Sequence, residues 1–466
     1  MADRNRITNQ PADSEAALRA QVANAEGVVV PGNEKTEVGN YFVANYPPFS
    51  FWQAEQVAEV ERLLKAPADP ELPLGLYHHV PFCRRRCHFC YFRVYTEKSA
   101  EEIKAYLDAT IRELAFYAAQ PYVKGRKLDC VYFGGGTPSY LSPSQLIDLT
   151  DRMKDLMPWD STREVAFECE PGTLNAKKVE AIKKIGVTRL SLGIESFDDE
   201  ILELNGRAHK GAEVDRAYTA ARAAGFDQIN IDLIAGMMGE TEENWFRSVD
   251  RAIELDSEMV TIYQMEIPYN TGIYREMKSA GKTVAPVADW ATKRHWVDKA
   301  YERFEAAGYT VTSAYTVVKN PAQSKFVYRD NLFGGADLLP LGVASFGHLV
   351  GIHIQNENNM PDYIDQVTRE GGHHSLSRAY VTDPEERFVR EFLLRMKLGE
   401  GDPVYYRKKY GIDPLQFYGK QLSDLQRDGY AVLDGGEITI TRNGLLQIDR
   451  LLHAFFLERH QGARYV

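Results

Sequence analysis

Three cysteines stand within eight residues, Cys83-Arg-Arg-Arg-Cys87-His-Phe-Cys90. Thiolates are soft ligands, so this C-x3-C-x2-C loop points to zinc or to an iron–sulfur cluster. A structural zinc needs four protein ligands, and His88 is the nearest candidate for the fourth. A 4Fe–4S cube held by Cys83, Cys87 and Cys90 alone leaves one iron open to a chelating substrate or cofactor. Arg84, Arg85 and Arg86 are expected to offset the negative charge of such a centre. Cys130 and Cys169 stand apart. Five cysteines in 466 residues are too few for a disulfide scaffold. Their tight triplet therefore suggests a reduced compartment and metal or redox chemistry.

Two other features carry chemistry. Gly134-Gly135-Gly136-Thr137 is expected to let backbone approach a ligand closely, because no Cβ intervenes. Glu168 closes an apolar run, where a carboxylate suits a ribose hydroxyl or an ammonium group.

The elements that must position these residues alternate. Apolar, β-rich runs lie at 74–82, 129–135, 164–171, 189–196, 228–236 and 259–267. Amphipathic stretches separate them at Ala100–Gln120, Pro143–Met157, Ala176–Ile185, Gly211–Ala224 and Thr241–Leu255. Strand, helix, strand at this spacing predicts right-handed βαβ units and a parallel sheet. The fold class expected is α/β, a partial (β/α)6 barrel of parallel strands; a doubly wound open sheet fits the pattern alone as well. Active sites of such folds lie at the C-terminal ends of the strands, and each feature above falls there.

The flanks read differently. Residues 1–40 read as a mobile polar tail, and 41–73 as an arm rich in aromatics and proline. Pro47 and Pro48 bar a helix through that arm, so its rings either dock on the body or wall the substrate cavity. The barrel is expected over 74–350, a linker over 351–382, and a helical, winged-helix-like domain over 383–466 with a hairpin at Gly435-Gly436. Lys plus Arg total 55 and Asp plus Glu 66, a net charge of −11, so no basic nucleic-acid footprint is visible. No apolar run reaches the ~18 residues of a membrane span, and the polar first residues do not read as a secretory signal. A cytoplasmic protein binding neither nucleic acid nor membrane is expected.

At these positions the chain resembles the radical S-adenosylmethionine superfamily. Leu76–Cys83, Tyr132–Pro138, Leu192–Phe197, Asn230–Gly236 and Tyr263–Pro268 occur in family order. They look like the branch of the oxygen-independent coproporphyrinogen III oxidases, the related haem chaperones and the class C radical methyltransferases. The resemblance implies a 4Fe–4S cluster on Cys83, Cys87 and Cys90, and S-adenosylmethionine chelated to its open iron. One-electron reduction, by a donor such as flavodoxin or ferredoxin, then yields a 5′-deoxyadenosyl radical. It also implies that Tyr77, the glycines and Glu168 contact this first S-adenosylmethionine. A second molecule would meet Phe89, Gly136, Thr137, Glu195, Arg207 and Asp232, with Gly135 beside them. There Arg207 would pair a carboxylate and Asp232 a ribose or ammonium; Glu195 departs from the glutamine usual in the oxidases and chaperones.

Two further departures bear on the reaction. The oxidases place a fourth cysteine where this chain has Phe92, and the chaperones carry a histidine absent from Tyr328–Phe333. The reaction expected first is therefore class C methylation or related carbon–carbon bond formation at an sp² carbon of a small-molecule substrate. The alternatives are anaerobic tetrapyrrole chemistry, either oxidase-like decarboxylation or haem ring opening, and a non-catalytic haem chaperone.

Overall fold

The computed structural model describes residues 11–24, Thr36 and residues 42–462. Six strands run parallel in sequence order: β1 (Leu74–Val80), β2 (Leu128–Gly135), β3 (Glu164–Cys169), β4 (Arg189–Glu195), β5 (Gln228–Ala235) and β6 (Met259–Gln264). The helices between them begin where the sequence supplies caps. Ser99 with Glu102, Ser142 with Gln145 and Thr241 with Asn244 each form a reciprocal capping box. The outward faces of the strands and the apolar stripes of these helices bury one continuous core.

The sheet continues on both flanks. On one side β6 pairs antiparallel with β8 (Thr316–Val318), which pairs with β7 (Thr310–Val311). On the other, β9 (Asp337–Leu341) lies parallel to β1, and β10 (Phe346–Leu349), β11 (Ile352–Asn356) and β12 (Leu376–Val381) follow antiparallel. The sheet of twelve strands is open, its edges being β12 and β7. The expected linker at 351–382 is thus two strands and the helix Met360–Thr368. The first of these strands hid from the pattern because it buries His353, Gln355 and Asn356 beside Ile352 and Ile354. Asn356 donates its amide nitrogen to Glu113, Gly342 and Ser345, which satisfies that donor inside the core.

Beyond β12 a second core forms from Phe388, Phe392, Tyr406, Tyr418, Leu452 and their neighbours. The helix Pro384–Met396 leads into further short helices and a three-stranded sheet, with β14 (Ala431–Asp434) and β15 (Glu437–Ile440) beside β13 (Glu400–Gly401). The aromatic arm joins this core: Val43 and Tyr46 are buried in it, while Trp52 stacks on His353. The expected polar tail also needs correction. Residues Pro11–Asn24 form a helix whose Leu18 and Val22 are buried against Ile201, Met238, Ile273 and Met277. Two apolar residues one turn apart suffice for this docking, too few to stand out among polar neighbours. The remainder of the expected tail, Thr36 excepted, lies outside the described residues.

Candidate functional site

The side chains that the sequence singles out converge on one cavity of about 610 Å³ at the C-terminal ends of the parallel strands. Cys83, Cys87 and Cys90 enter from the loop after β1, Gly135, Gly136 and Thr137 from the end of β2, and Glu168 from β3. Gly193 and Glu195 come from β4, Arg207 from the segment after it, and Asp232 from β5. With Tyr263 and Gln264 of β6, residues of six successive strand units wall one cavity, which they can do only if the sheet curves around it, and this decides for the barrel-like reading.

The cysteine loop is fastened by its backbone and by two of its arginines. The Cys83 N–H donates to Tyr95 O, and the His88 N–H to Asn205 O. Arg84 donates both to Glu170, at 2.9 Å twice, and to Ala208 O; Arg86 donates to Cys90 O and Asn270 O. Arg84 thus spends its charge on Glu170, whereas Arg86, bonded only to carbonyl oxygens, keeps a charge that favours the Cys90 thiolate. The cation that touches a sulfur is Arg207, whose Nη1 donates to Cys87 Sγ at 3.3 Å. Thr137 Oγ1 donates to Cys83 Sγ at the same distance. Burial pushes the Cys83 thiol up to about 12 and the Cys90 thiol up to about 11. A bound metal centre reverses that preference, because coordination deprotonates a thiol. Three thiols line one wall, two of them accepting hydrogen bonds, and thiols are the ligand type an iron–sulfur cluster takes. Cys130 and Cys169 are turned elsewhere: Cys130 takes a contact from Asn331 at 3.7 Å, and Cys169 lies beside Ser139 and Lys178.

The glycine run is required by the protein itself. A Cβ on Gly136 would lie 2.9 Å from Val80 O, and one on Gly135 2.6 Å from the His79 ring. Gly135 also has φ +108°, which other residues rarely adopt. The close approach is thus between β2 and β1, and it brings Gly135 and Gly136 into the cavity wall. Gly135 N–H then donates to Glu168 Oε2 at 3.2 Å, while Tyr132 Oη donates to Oε1 at 2.6 Å. Tyr77 is outside the wall. It stacks on Tyr132 with ring centroids 5.9 Å apart, so it supports Glu168 through that ring and does not line the cavity.

Three carboxylates share this interior. Burial pushes Glu168 and Glu195 each up to about 7, and it also raises Asp232. Arg207 opposes the shift at Glu195, lying 3.6 Å away and also donating to Gly193 O. Glu195 reaches this position through a register shift against β5 and a left-handed backbone, φ +66°. Such strain in a non-glycine residue costs ~1–3 kcal/mol and clusters at functional sites. Asp232 accepts from Ser191 at 2.9 Å and from Asn230 at 2.8 Å. Glu170 differs: burial opposes its charge, yet His209 and Arg84 hold it down at about 2.

A raised carboxylate has a measurable consequence. Glu168 binds its proton more tightly folded than unfolded, so its contribution to stability is complete below about pH 4.5 and is lost as pH rises through about 7. In the cluster-free protein Glu168→Gln is therefore expected to stabilise at pH 8, by roughly 1–3 kcal/mol. No such gain is expected at pH 4. The glutamine can keep both contacts, donating to Tyr132 Oη and accepting from Gly135. Thermal unfolding at the two pH values checks this, and an equal gain at both would remove Glu168 as the titrating group.

Several wall residues were not assigned from sequence. Phe42 of the arm and Leu445–Arg450 of the C-terminal domain close the cavity from outside the barrel. Asp449 ties these parts together. It accepts from Val43 N at 2.8 Å and from Tyr315 Oη, and pairs with the buried Lys397 at 2.7 Å. The arm thus both docks on the body and contributes to the wall. Nothing in the spacing of residues 42, 315 and 449 could have announced a shared contact.

A barrel mouth with three cysteines after its first strand defines a class, and residues 77–252 match the model of the Radical SAM superfamily. The chain is 31% identical to the haem chaperone HemW of Haemophilus influenzae, over 84% of this chain and all of the relative. It is 24% identical to the oxygen-independent coproporphyrinogen III oxidase of Escherichia coli, over 85% of this chain and 88% of the relative. The solved structure of the Escherichia coli coproporphyrinogen III oxidase superposes with a TM-score of 0.76 at 22% identity, covering 90% of this chain and 99% of that one. The chain belongs to the radical SAM superfamily, in its branch of coproporphyrinogen oxidase-like and HemW-like proteins. Membership implies a 4Fe–4S cluster and S-adenosylmethionine. Among the described residues no helix is long and apolar enough to cross a membrane.

Proposed function

We propose that the protein is a radical enzyme that cleaves S-adenosylmethionine reductively and acts on a tetrapyrrole. The observation that carries this is the single cavity, which unites the three cysteines with Glu168, Glu195, Arg207 and Asp232 and continues outward into an aromatic and arginine-rich wall. The relatives named above are a haem chaperone and a coproporphyrinogen oxidase. They favour the tetrapyrrole alternative over C-methylation, the reaction expected first from the sequence.

With cluster and S-adenosylmethionine in place, one-electron reduction supplies a 5′-deoxyadenosyl radical. The electron would come from a small carrier such as flavodoxin or ferredoxin. The chain's own part is positioning and charge. Cys83, Cys87 and Cys90 hold the cluster. Glu168, its oxygens anchored by Tyr132 and Gly135, offers its remaining lone pairs to an ammonium or ribose. Arg207 and Asp232, of opposite charge, suit the methionyl group of a second S-adenosylmethionine. The Leu445–Arg450 segment and Phe42 restrict access of water to the radical.

The test is consumption of S-adenosylmethionine by reduced, cluster-loaded protein, with and without haem. The expected product is 5′-deoxyadenosine. Glu168→Ala should keep its cluster and lose about 10²-fold in rate, the usual effect of removing one partner of a buried charged contact. A loaded, reduced protein that consumes none would be a binding protein of the haem-chaperone kind.

A further inference from the structure

We infer that Arg189 is a positioning residue: a buried cation beneath the cavity that keeps the Asp232 carboxylate charged, and so able to hold a cationic group of a bound molecule. The inference rests on the reading above in one respect, that this cationic group belongs to S-adenosylmethionine.

Arg189 opens β4. Side chains alternate along a strand, so Arg189, Ser191 and Gly193 share one face. Gly193 lines the cavity, whereas Leu190, Leu192 and Ile194 pack outward into the main core. Arg189 therefore points into the barrel, below Ser191. The interiors of parallel barrels are mostly filled by branched apolar side chains. Here the layer under the cavity is polar. Asn230 donates its amide to Asp232 and to Ser191, each at 2.8 Å. Ser191 donates to Asp232 at 2.9 Å, and Thr261 donates to Asn230 at 2.9 Å. These bonds fix the direction of the Asp232 carboxylate, but every donor in them is neutral.

The charge comes from Arg189, which is 1% exposed. An arginine is seldom buried whole without a carboxylate partner, yet this one forms no ion pair with a described residue. Its guanidinium lies 3.9 Å from the centre of the Phe326 ring, and Nη2 lies 3.5 Å from Met259 Sδ. Neither contact neutralises a charge. Strand register sets Arg189 beside Ala166, between Glu164 and Glu168 on β3, and Ser191, next on its own face, touches Asp232. A desolvated cation without a close partner draws its compensation from the carboxylates around it, and in return it favours their charged forms. Burial raises Glu164, Glu168 and Asp232, and Arg189 opposes the shift at all three; at Asp232 it is the largest opposing influence.

The other titratable groups facing Asp232 are Glu168 of β3, Glu195 of β4 and Tyr263 of β6, and none of them brings a positive charge. Arg207 lines the same cavity but is engaged with Glu195, Gly193 and Cys87.

The test compares wild type with Arg189→Met, which keeps the length and apolar contacts of the side chain, and Arg189→Lys, which keeps its charge. All are studied as full-length, cluster-loaded protein under anaerobic conditions. The infrared band of protonated carboxyl groups is titrated in the absence of S-adenosylmethionine and assigned to Asp232 by its loss in Asp232→Asn. In Arg189→Met the midpoint of that band is expected to move up by about one pH unit or more, and Arg189→Lys should bring it back to the wild-type value. The pH below which S-adenosylmethionine binding weakens should move up with it. Circular dichroism of each variant establishes folding; if methionine is not tolerated, the lysine variant decides, and a midpoint displaced from wild type in it overturns the inference. An unshifted midpoint in folded Arg189→Met, or one displaced as far in Arg189→Lys as in Arg189→Met, overturns it as well and leaves the proposed function standing. A midpoint that shifts while S-adenosylmethionine binding keeps its wild-type pH dependence overturns instead the reading of Asp232 as a cofactor contact.

Discussion

Replacing Cys87 by alanine is expected to abolish the full iron complement and with it the cleavage of S-adenosylmethionine, while the chain stays folded. The reason for both halves lies in the loop. Its shape depends on Arg84 with Glu170, on Arg86 with Asn270, and on the backbone contacts of Cys83 and His88. None of these uses the Cys87 side chain, whose one hydrogen bond comes from Arg207. Alanine thus removes a ligand without removing a strut. Cys130→Ala and Cys169→Ala should leave iron binding intact, because those thiols face Asn331 and Ser139. Anaerobic reconstitution should give about four irons per wild-type chain, with no stoichiometric zinc. A Cys87→Ala protein retaining all of its iron, or a wild type that takes up zinc and no cluster, would refute the assignment.

The six-stranded core of the fold was legible because its signals are local. Apolar runs of strand length alternate with amphipathic stretches, and serine or threonine caps stand at the helix starts. The cysteine loop, Glu168 and Asp232 could be placed for the same reason, since each ends a strand or sits late in one. Of the flanking strands, β11 escaped because its burial is partly polar: His353 and Asn356 lie inside the core, yet their types read as loop. The roles of the arginines escaped for a different reason. Arg84, Arg85 and Arg86 are adjacent and chemically alike and all line the cavity, but Arg84 is tied to Glu170 and Ala208 and Arg86 to Cys90 and Asn270. Which residue lies against which sulfur depends on how β4 and the segment after it curve around the mouth. The same holds for the closure by Phe42 and Leu445–Arg450, whose meeting is set by packing between the second core and the barrel.

Arg207→Ala should weaken binding of a second S-adenosylmethionine by about 10²-fold, the expected loss when one side of a desolvated charge contact is removed. Burial works against the Arg207 charge, and Cys87, Glu195 and Glu170 together hold the guanidinium firmly protonated. It is thus a fixed cation in the part of the wall that also presents Glu168, Glu195 and Asp232. Without it, Glu195 keeps its burial and its two carboxylate neighbours but loses its compensating charge, so its pKa rises further above about 7. Removal therefore acts twice at neutral pH: a carboxylate-binding cation disappears, and the adjacent glutamate becomes neutral. The pH dependence separates the two effects. In wild type the Glu195 titration lies near neutrality; in the variant it should move to higher pH, while the loss of carboxylate recognition persists at every pH. Arg207→Lys should restore the charge and bring the titration back, but it cannot reproduce the fork that spans Cys87 and Gly193. Equilibrium binding to anaerobic, cluster-loaded protein should show two sites in wild type and about one in Arg207→Ala. A wild type with a single site would remove the second S-adenosylmethionine and leave Arg207 as a positioning residue for Cys87 and Glu195.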